Sequence, residues 1–338
     1  MVAHQLLEQS ADFTCDEAQV SDIERYLSSL MHDLVLMHFV DAVQANIEEI
    51  PKQVFDVLAS RDFCYLSKTR VSVYREEILA LVRTAVLQYE PIRFYFDIGG
   101  GYHASIRPGL SDLNFDAGLA ELFVLSQITK FANRIRPFYP PGVRFSLVID
   151  NMCALLINDI PLANTLDYCT RLRDLIRGTG LNALVDVLVE SEHFSVSDFD
   201  DLLSDEVGKH FLDSLTRKEH ENIERFLGRH CDQGEAFERA VRYKEVIDAS
   251  EFLLAGLIHG VHMTQRATES TISFRPFPGG DSRIQCGEVA LTRNCKERLC
   301  PVLLTSSSFN QYFCRRYRFP EILPSEIPHV TYAQRIAS

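Results

Sequence analysis

Three consecutive glycines, Gly99, Gly100 and Gly101, stand between Asp97 and a polar cluster of Tyr102, His103, Ser105 and Arg107 in the stretch PIRFYFDIGGGYHASIR. Glycine carries no Cβ and tolerates positive φ, so such a run lets backbone N–H groups come close to an anion or a ligand ring. The residues beside it are of types that move protons and hold anions: an imidazole titrates near neutral pH, and a guanidinium grips a phosphate or carboxylate through paired hydrogen bonds. Simpler readings stand next to this one. The glycines turn a strand sharply, His103 is a surface histidine, and Arg107 pairs with Asp112 in a solvated contact worth at most about 1 kcal/mol. Asp150 with Asn151 offers the same choice between a ligand-binding strand end and a plain turn.

These residues need elements to position them. The alternating apolar run IRFYFDI (92–98) reads as a strand that delivers the chain into the glycines, and VRFSLVID (143–150) and LVDVLVE (184–190) read likewise. RVSVY (70–74) and ALLIND (154–159) are two further strand-like runs. Helical spacing fills the intervals, in FDAGLAELFVLSQITKFANRI (115–135) and NTLDYCTRLRDLIRG (164–178). Ahead of them, Ser21 and Glu24 have the spacing of a capping box, followed by Ile23, Leu27, Leu30, Leu34 and Met37 at steps of four and three. Strands of about six residues alternating with helices of three to five turns predict an α/β protein, with a Rossmann-like central sheet and helices on its faces.

The predicted organisation is a mainly helical segment over 1–90, an α/β core over 91–195 and a C-terminal region over 196–338 that is first helical and then a small α+β part. The helical reading of 194–263 takes in EAFERAVRYKEVIDASEFLLAGLIHGVHM and places His259 and His262 on one helical face. Strands return at TISFRPF (271–277), RIQCGEVALT (283–292) and CPVLLTSS (300–307). Zinc at the two histidines would need a third ligand that the sequence does not supply.

Composition removes several classes of function. A chain of 338 residues, 46% of them hydrophobic, is long enough for one large or two medium cores. With 34 basic and 47 acidic residues the net charge is −13, which opposes non-specific binding to nucleic acid or to an anionic membrane. Any anionic ligand must therefore meet a local concentration of donors. The nine cysteines form no C-x-x-C pair and no regular framework, as expected of reduced thiols in a cytoplasmic protein. MVAHQLLEQS lacks the basic and apolar regions of an export signal, and no apolar run approaches the roughly 18 residues that span a bilayer. The expected partners are small molecules, with neither nucleic acid nor membrane among them.

Two family resemblances attach to these motifs. Asp97, Gly99 and Gly101 fall in register with the strand-ending D-x-G-x-G-x-G pattern of S-adenosylmethionine-dependent methyltransferases. His103 stands at the last glycine, and Pro108 and Gly109 keep a helix from opening directly after the loop. Over residues 90 to 180 the order of motifs resembles the pyoverdine/dityrosine biosynthesis family, whose members include isonitrile synthases. The motifs are GGGYHAS, an acidic helix with Asp116, Ala120 and Glu121, a YPPG turn at Tyr139 to Gly142, a strand ending in Asp150, and a helix with Tyr168, Leu172, Arg173 and Leu175. Where that family has a Lys-Ser type of loop, this chain has His103 and Ser105, and Arg283-Ile284-Gln285 is an approximate counterpart of its C-terminal Arg-Ser-Ile-His type of segment.

The second resemblance implies a condensation of an amino-acid amine with the ketone of ribulose 5-phosphate, with no metal or redox cofactor. It implies His103, Asp97 and Asp150 as catalytic groups and a phosphate cradle of Gly99, Gly100, Gly101 and Arg107, with Tyr102, Ser105 and Glu121 also at the substrate. Arg275 or Arg283 would hold the amino-acid carboxylate. A noncatalytic binding protein built on the same α/β core is the remaining expectation, with residues 21–50 as its surface helix.

Overall fold

The computed structural model describes residues 25, 29, 32–37, 47–64, 72–98, 117, 119–203, 220, 223, 232–264, 272–273, 289–293 and 299–303. The helices are α1 (Ile50–Leu58), α2 (Arg75–Gln88), α3 (Leu119–Ile135), α4 (Asn151–Asn158), α5 (Leu162–Gly178), α6 (Val196–Asp200) and α7 (Gln233–Leu257). The strands are β1 (Ile92–Asp97), β2 (Val143–Ile149), β3 (Val185–Val189), β4 (Val261–Thr264), β5 (Ile272–Ser273), β6 (Val289–Arg293) and β7 (Leu299–Leu303). The chain falls into two compact units. One comprises 1–149, 167–188 and 260–338, and the other 150–166 and 189–259.

The first unit holds a five-stranded sheet of order β3-β2-β1-β4-β5, in which β1 runs parallel to both β2 and β4 and β4 runs parallel to β5. This is the α/β architecture expected from the alternation of strands and helices. A separate antiparallel pair, β6 with β7, comes from the C-terminal region. Parallel strands are covered on both faces and so read as nearly continuous apolar runs, which is why IRFYFD and VRFSLVI, rich in aromatic and β-branched residues, form β1 and β2. Phe94 stacks on Phe145 across the β1–β2 pair at 5.2 Å between ring centroids, and Phe131 of α3 meets both rings edge-on. Phe63 extends the cluster to the turn after α1, 5.1 Å from Phe131. All four rings are at most 1% exposed. Phe131→Ala is expected to cost about 3–5 kcal/mol through lost burial and the cavity left at the centre of this cluster, measured as a fall in the urea midpoint.

The YPPG motif is a structural junction. Gly142 has φ of +69°, which favours glycine, and its N–H donates to the Tyr139 carbonyl at 2.8 Å, while its own carbonyl receives Ile92 N–H at the start of β1. The Tyr139 phenol is 1% exposed and donates to the Glu90 carbonyl at 2.6 Å, with the Ala85 carbonyl of α2 at 3.2 Å. Burial first, and then Tyr89 and Glu90 nearby, push its pKa from 10.0 up to about 12. Below about pH 10 the phenol is neutral in the folded and unfolded chains alike, and its contribution to stability is complete. Between 10 and about 12 only the unfolded chain ionises, so stability falls as pH rises through that window. Tyr139→Phe should lower stability by about 1 kcal/mol at neutral pH. It should also flatten this alkaline slope, as read from urea midpoints taken across the window.

The second unit packs α4, α6 and α7 around Met152, Cys153, Ile157, Phe199, Ala236, Ala240 and Val246. Two fully buried polar side chains hold it together. Asn151 donates to Ser191 Oγ at 2.7 Å and to Thr165 Oγ1 at 3.2 Å, and its Oδ1 accepts from Ser191 N–H. Glu190 accepts from Met152 N–H at 3.2 Å and from the Ser250 hydroxyl. A buried carboxylate is tolerable only with such donors, and the amide at the start of α4 adds the favourable end of a helix dipole.

Three expectations need correcting. Residues 154–158 belong to α4, not to a strand, and Asp159 is its C-cap. ALLI is apolar at four successive positions because α4 is covered on several sides, and a short apolar run does not itself distinguish helix from strand. Ser72–Tyr74, inside the strand-like RVSVY, is a 3-10 turn leading into α2. The helical reading of 194–263 ends too late: α7 stops at Leu257, and Val261–Thr264 is a strand.

Candidate functional site

The strand order reverses direction at the β1–β4 pair, since the chain leaves β1 for β2 and β3 on one side and only afterwards returns to lay down β4 and β5 on the other. Open α/β sheets bind ligands in the crevice outside the carboxyl ends of the strands at such a switch point. Asp97 is the last residue of β1. The register of the pair sets Tyr95 opposite His262, and because side chains alternate along a strand, Asp97 lies on the same face as Tyr95 and therefore as His262. His262 Nε2 and Asp97 Oδ1 are 2.8 Å apart, with the two side chains 24% and 32% exposed. The dyad is thus fixed by two sheet strands and still reaches solvent.

A carboxylate bonded to one ring nitrogen fixes the orientation and tautomer of an imidazole, and it stabilises the imidazolium formed when the ring takes up a second proton. In chemical terms such a pair is able to act as a histidine general acid/base with an aspartate positioning it. The close approach of β4 to β1 depends on Gly260. A Cβ at that position would stand 2.5 Å from the Arg93 carbonyl oxygen.

Sequence reasoning singled out Asp97 but missed His262 as its partner, having placed it on a helix. Gly260 followed by a β-branched valine was the available signal for a strand start. His259 and His262 do not share a helical face, because the helix ends at Leu257 and His262 is on β4, where it is bonded to Asp97.

Asp150 directly follows β2, at the N-cap position of α4 in the second unit. Glu121, in the first turn of α3, is 1% exposed and accepts a hydrogen bond from the Tyr168 phenol of α5 at 2.9 Å. The acidic helix and the tyrosine helix of the motif series therefore meet through these two side chains. Gly99, Gly100, Gly101, Tyr102, His103, Ser105 and Arg107 lie outside the described residues, as do Arg275 and Arg283. Among the described residues no helix is long and apolar enough to cross a membrane.

No family model matches the sequence, and no curated protein does. Among solved structures, the crystal structure of the PvcA protein from Pseudomonas aeruginosa is similar, with a TM-score of 0.63 at 16% sequence identity, over 80% of this chain and 100% of that one. At that identity the likeness is one of fold: this chain is built on the same α/β framework as PvcA.

Proposed function

We propose that the protein is a biosynthetic enzyme of the isonitrile synthase kind, joining the amine of an amino acid to the ketone carbon of ribulose 5-phosphate. The observation that carries this reading is the Asp97–His262 pair at the carboxyl edge of the sheet's switch point, with Asp97 two residues before the first glycine of the run. The order of motifs over residues 90 to 180 and the fold shared with PvcA support it. In the opening step His262 takes a proton from the substrate ammonium, freeing its lone pair to attack the ketone carbon. The attacking nitrogen then passes a proton to the alkoxide to give the carbinolamine, and the proton held by His262 goes to its hydroxyl, which leaves as water and yields the protonated imine. Asp97 positions the ring throughout.

The remaining roles follow the chemistry of the residue types. Gly99, Gly100 and Gly101 with Arg107 cradle the phosphate, because a chain of net charge −13 repels an anion unless donors are concentrated locally. His103, Tyr102 and Ser105 complete the loop side, and Arg275 or Arg283 meets the amino-acid carboxylate. Asp150 and Glu121 are assigned to the substrate region. The enzyme works on small molecules in the cytoplasm and requires no metal or redox cofactor.

The test is to incubate the protein with ribulose 5-phosphate and a panel of amino acids and to look for an isocyanide by mass spectrometry, alongside thermal stabilisation by ligand. A ligand at a hundred times its Kd raises stability by about 2.7 kcal/mol. Stabilisation by ribulose 5-phosphate with isocyanide formation is the expected result. Stabilisation by S-adenosylmethionine instead would transfer the site to methyl-transfer chemistry.

A further inference from the structure

A cavity lies in the first unit, beside α3. Leu34 to Met37 run along that helix, tied down by Asn133, which accepts from Met37 N–H at 2.9 Å and donates to the Val35 carbonyl at 3.0 Å. Arg136 adds a bond to the Met37 carbonyl at 3.1 Å. The turn after α1 is tied to the same helix: Gln127 donates to the Asp62 carbonyl, and Arg134 pairs with the Asp62 side chain at 2.7 Å while covering the Phe63 ring. Between the segment and the turn is a cavity of about 620 Å³, a size suited to a small organic ligand. Because α3 follows the carboxyl end of β1 and precedes the amino end of β2, the part of α3 that lines the cavity, Gln127 to Arg134, lies toward the amino edge of the sheet. The Asp97–His262 pair occupies the opposite edge.

The walls of this cavity divide by chemistry. Val35 and Met37 are apolar yet 52% and 53% exposed, with Phe63 beneath. The charged part comprises Arg61, Lys130 and Arg134 against Asp33 and Asp62, one positive charge in excess within a protein whose net charge is −13. Both aspartates are already engaged, Asp33 by Lys130 at 2.6 Å and Asp62 by Arg134. Among the described residues Arg61 has no carboxylate partner. All four paired side chains are at least 32% exposed, so the ion pairs are weak and their cations can turn toward another anion at little cost.

We infer that this cavity is a binding site for a small amphiphilic anion, with Arg61, supported by Lys130 and Arg134, taking its carboxylate or phosphate group and Val35, Met37 and Phe63 taking its apolar body. The site is separate from the catalytic one and does not depend on the reaction proposed above.

The experiment is calorimetric titration of the whole protein with phenylacetate, phenyl phosphate, benzyl alcohol and inorganic phosphate. Binding of the two aromatic anions, each at least tenfold tighter than benzyl alcohol and than inorganic phosphate, is expected. Comparison of phenylacetate with phenyl phosphate identifies which anionic group the site prefers. Arg61→Gln should weaken the aromatic anions tenfold or more with an unchanged melting temperature, and Arg61→Lys should recover part of the loss. His262→Ala should bind them as the parent does. Equal binding of benzyl alcohol, equal binding by Arg61→Gln, or loss of binding in a folded His262→Ala protein would each overturn the inference.

Discussion

His262→Ala is expected to leave a folded protein whose turnover is lower by roughly 10²–10⁴, the range associated with removing a positioned general acid/base. The side chain is partly exposed on a short strand, so its loss removes little packing, and circular dichroism with the urea midpoint should stay close to parent values. Asp97→Asn tests the positioning role separately. Asparagine keeps the shape and can still hydrogen bond, but it cannot stabilise an imidazolium and it can favour the wrong tautomer. Its kcat should fall substantially with KM little changed, and the acid limb of the pH–rate profile should move. A merely structural contact would not move that limb. Parental turnover by both folded variants across pH 6 to 9 would remove the dyad from the chemistry.

Gly260→Ala should disturb both the sheet and the dyad. The added methyl would stand 2.5 Å from the Arg93 carbonyl oxygen and 3.0 Å from its Cβ, and since the nearest obstacle is backbone, no side-chain rotation relieves the overlap. Overpacking of this kind costs about 1–3 kcal/mol, and more where the backbone has to move. β4, the strand that carries His262, would be displaced at its start. A loss of about 2–4 kcal/mol in stability, accompanied by a fall in activity greater than the unfolded fraction accounts for, is the expected pairing. A variant that matches the parent in both urea midpoint and turnover would show that β4 can shift without consequence.

What the sequence made legible follows from how local each feature is. β1 and β2 were readable because buried parallel strands advertise themselves as aromatic and β-branched runs, and α3 and α5 because their apolar spacing is sustained over many turns. Short apolar runs were ambiguous: ALLIND became part of α4 and SVY a 3-10 turn. β4 was hidden because four strand residues follow a 25-residue helix after a short break, and the periodicity was carried on past Leu257. The candidate site was half legible for the same reason. Asp97 ends an evident strand before the glycines, whereas nothing local in VHMT shows that its histidine meets a carboxylate 165 residues earlier. Tyr139 and Gly142, prominent as a motif, turn out to join α2, β1 and β2.

That separation of 165 residues also has a meaning in time. At a synthesis rate of about 5–20 residues per second, roughly 8 to 33 seconds pass between the emergence of β1 and the emergence of the strand that pairs with its other side. Once β2 has emerged and joined it, β1 presents on its other side an aromatic, hydrogen-bond-hungry edge of the kind that recruits other chains. The newborn protein is therefore exposed to aggregation for as long as its second unit is being made. Expression of residues 1–259 should yield insoluble material, while restoring the chain through Thr264 should begin to rescue it.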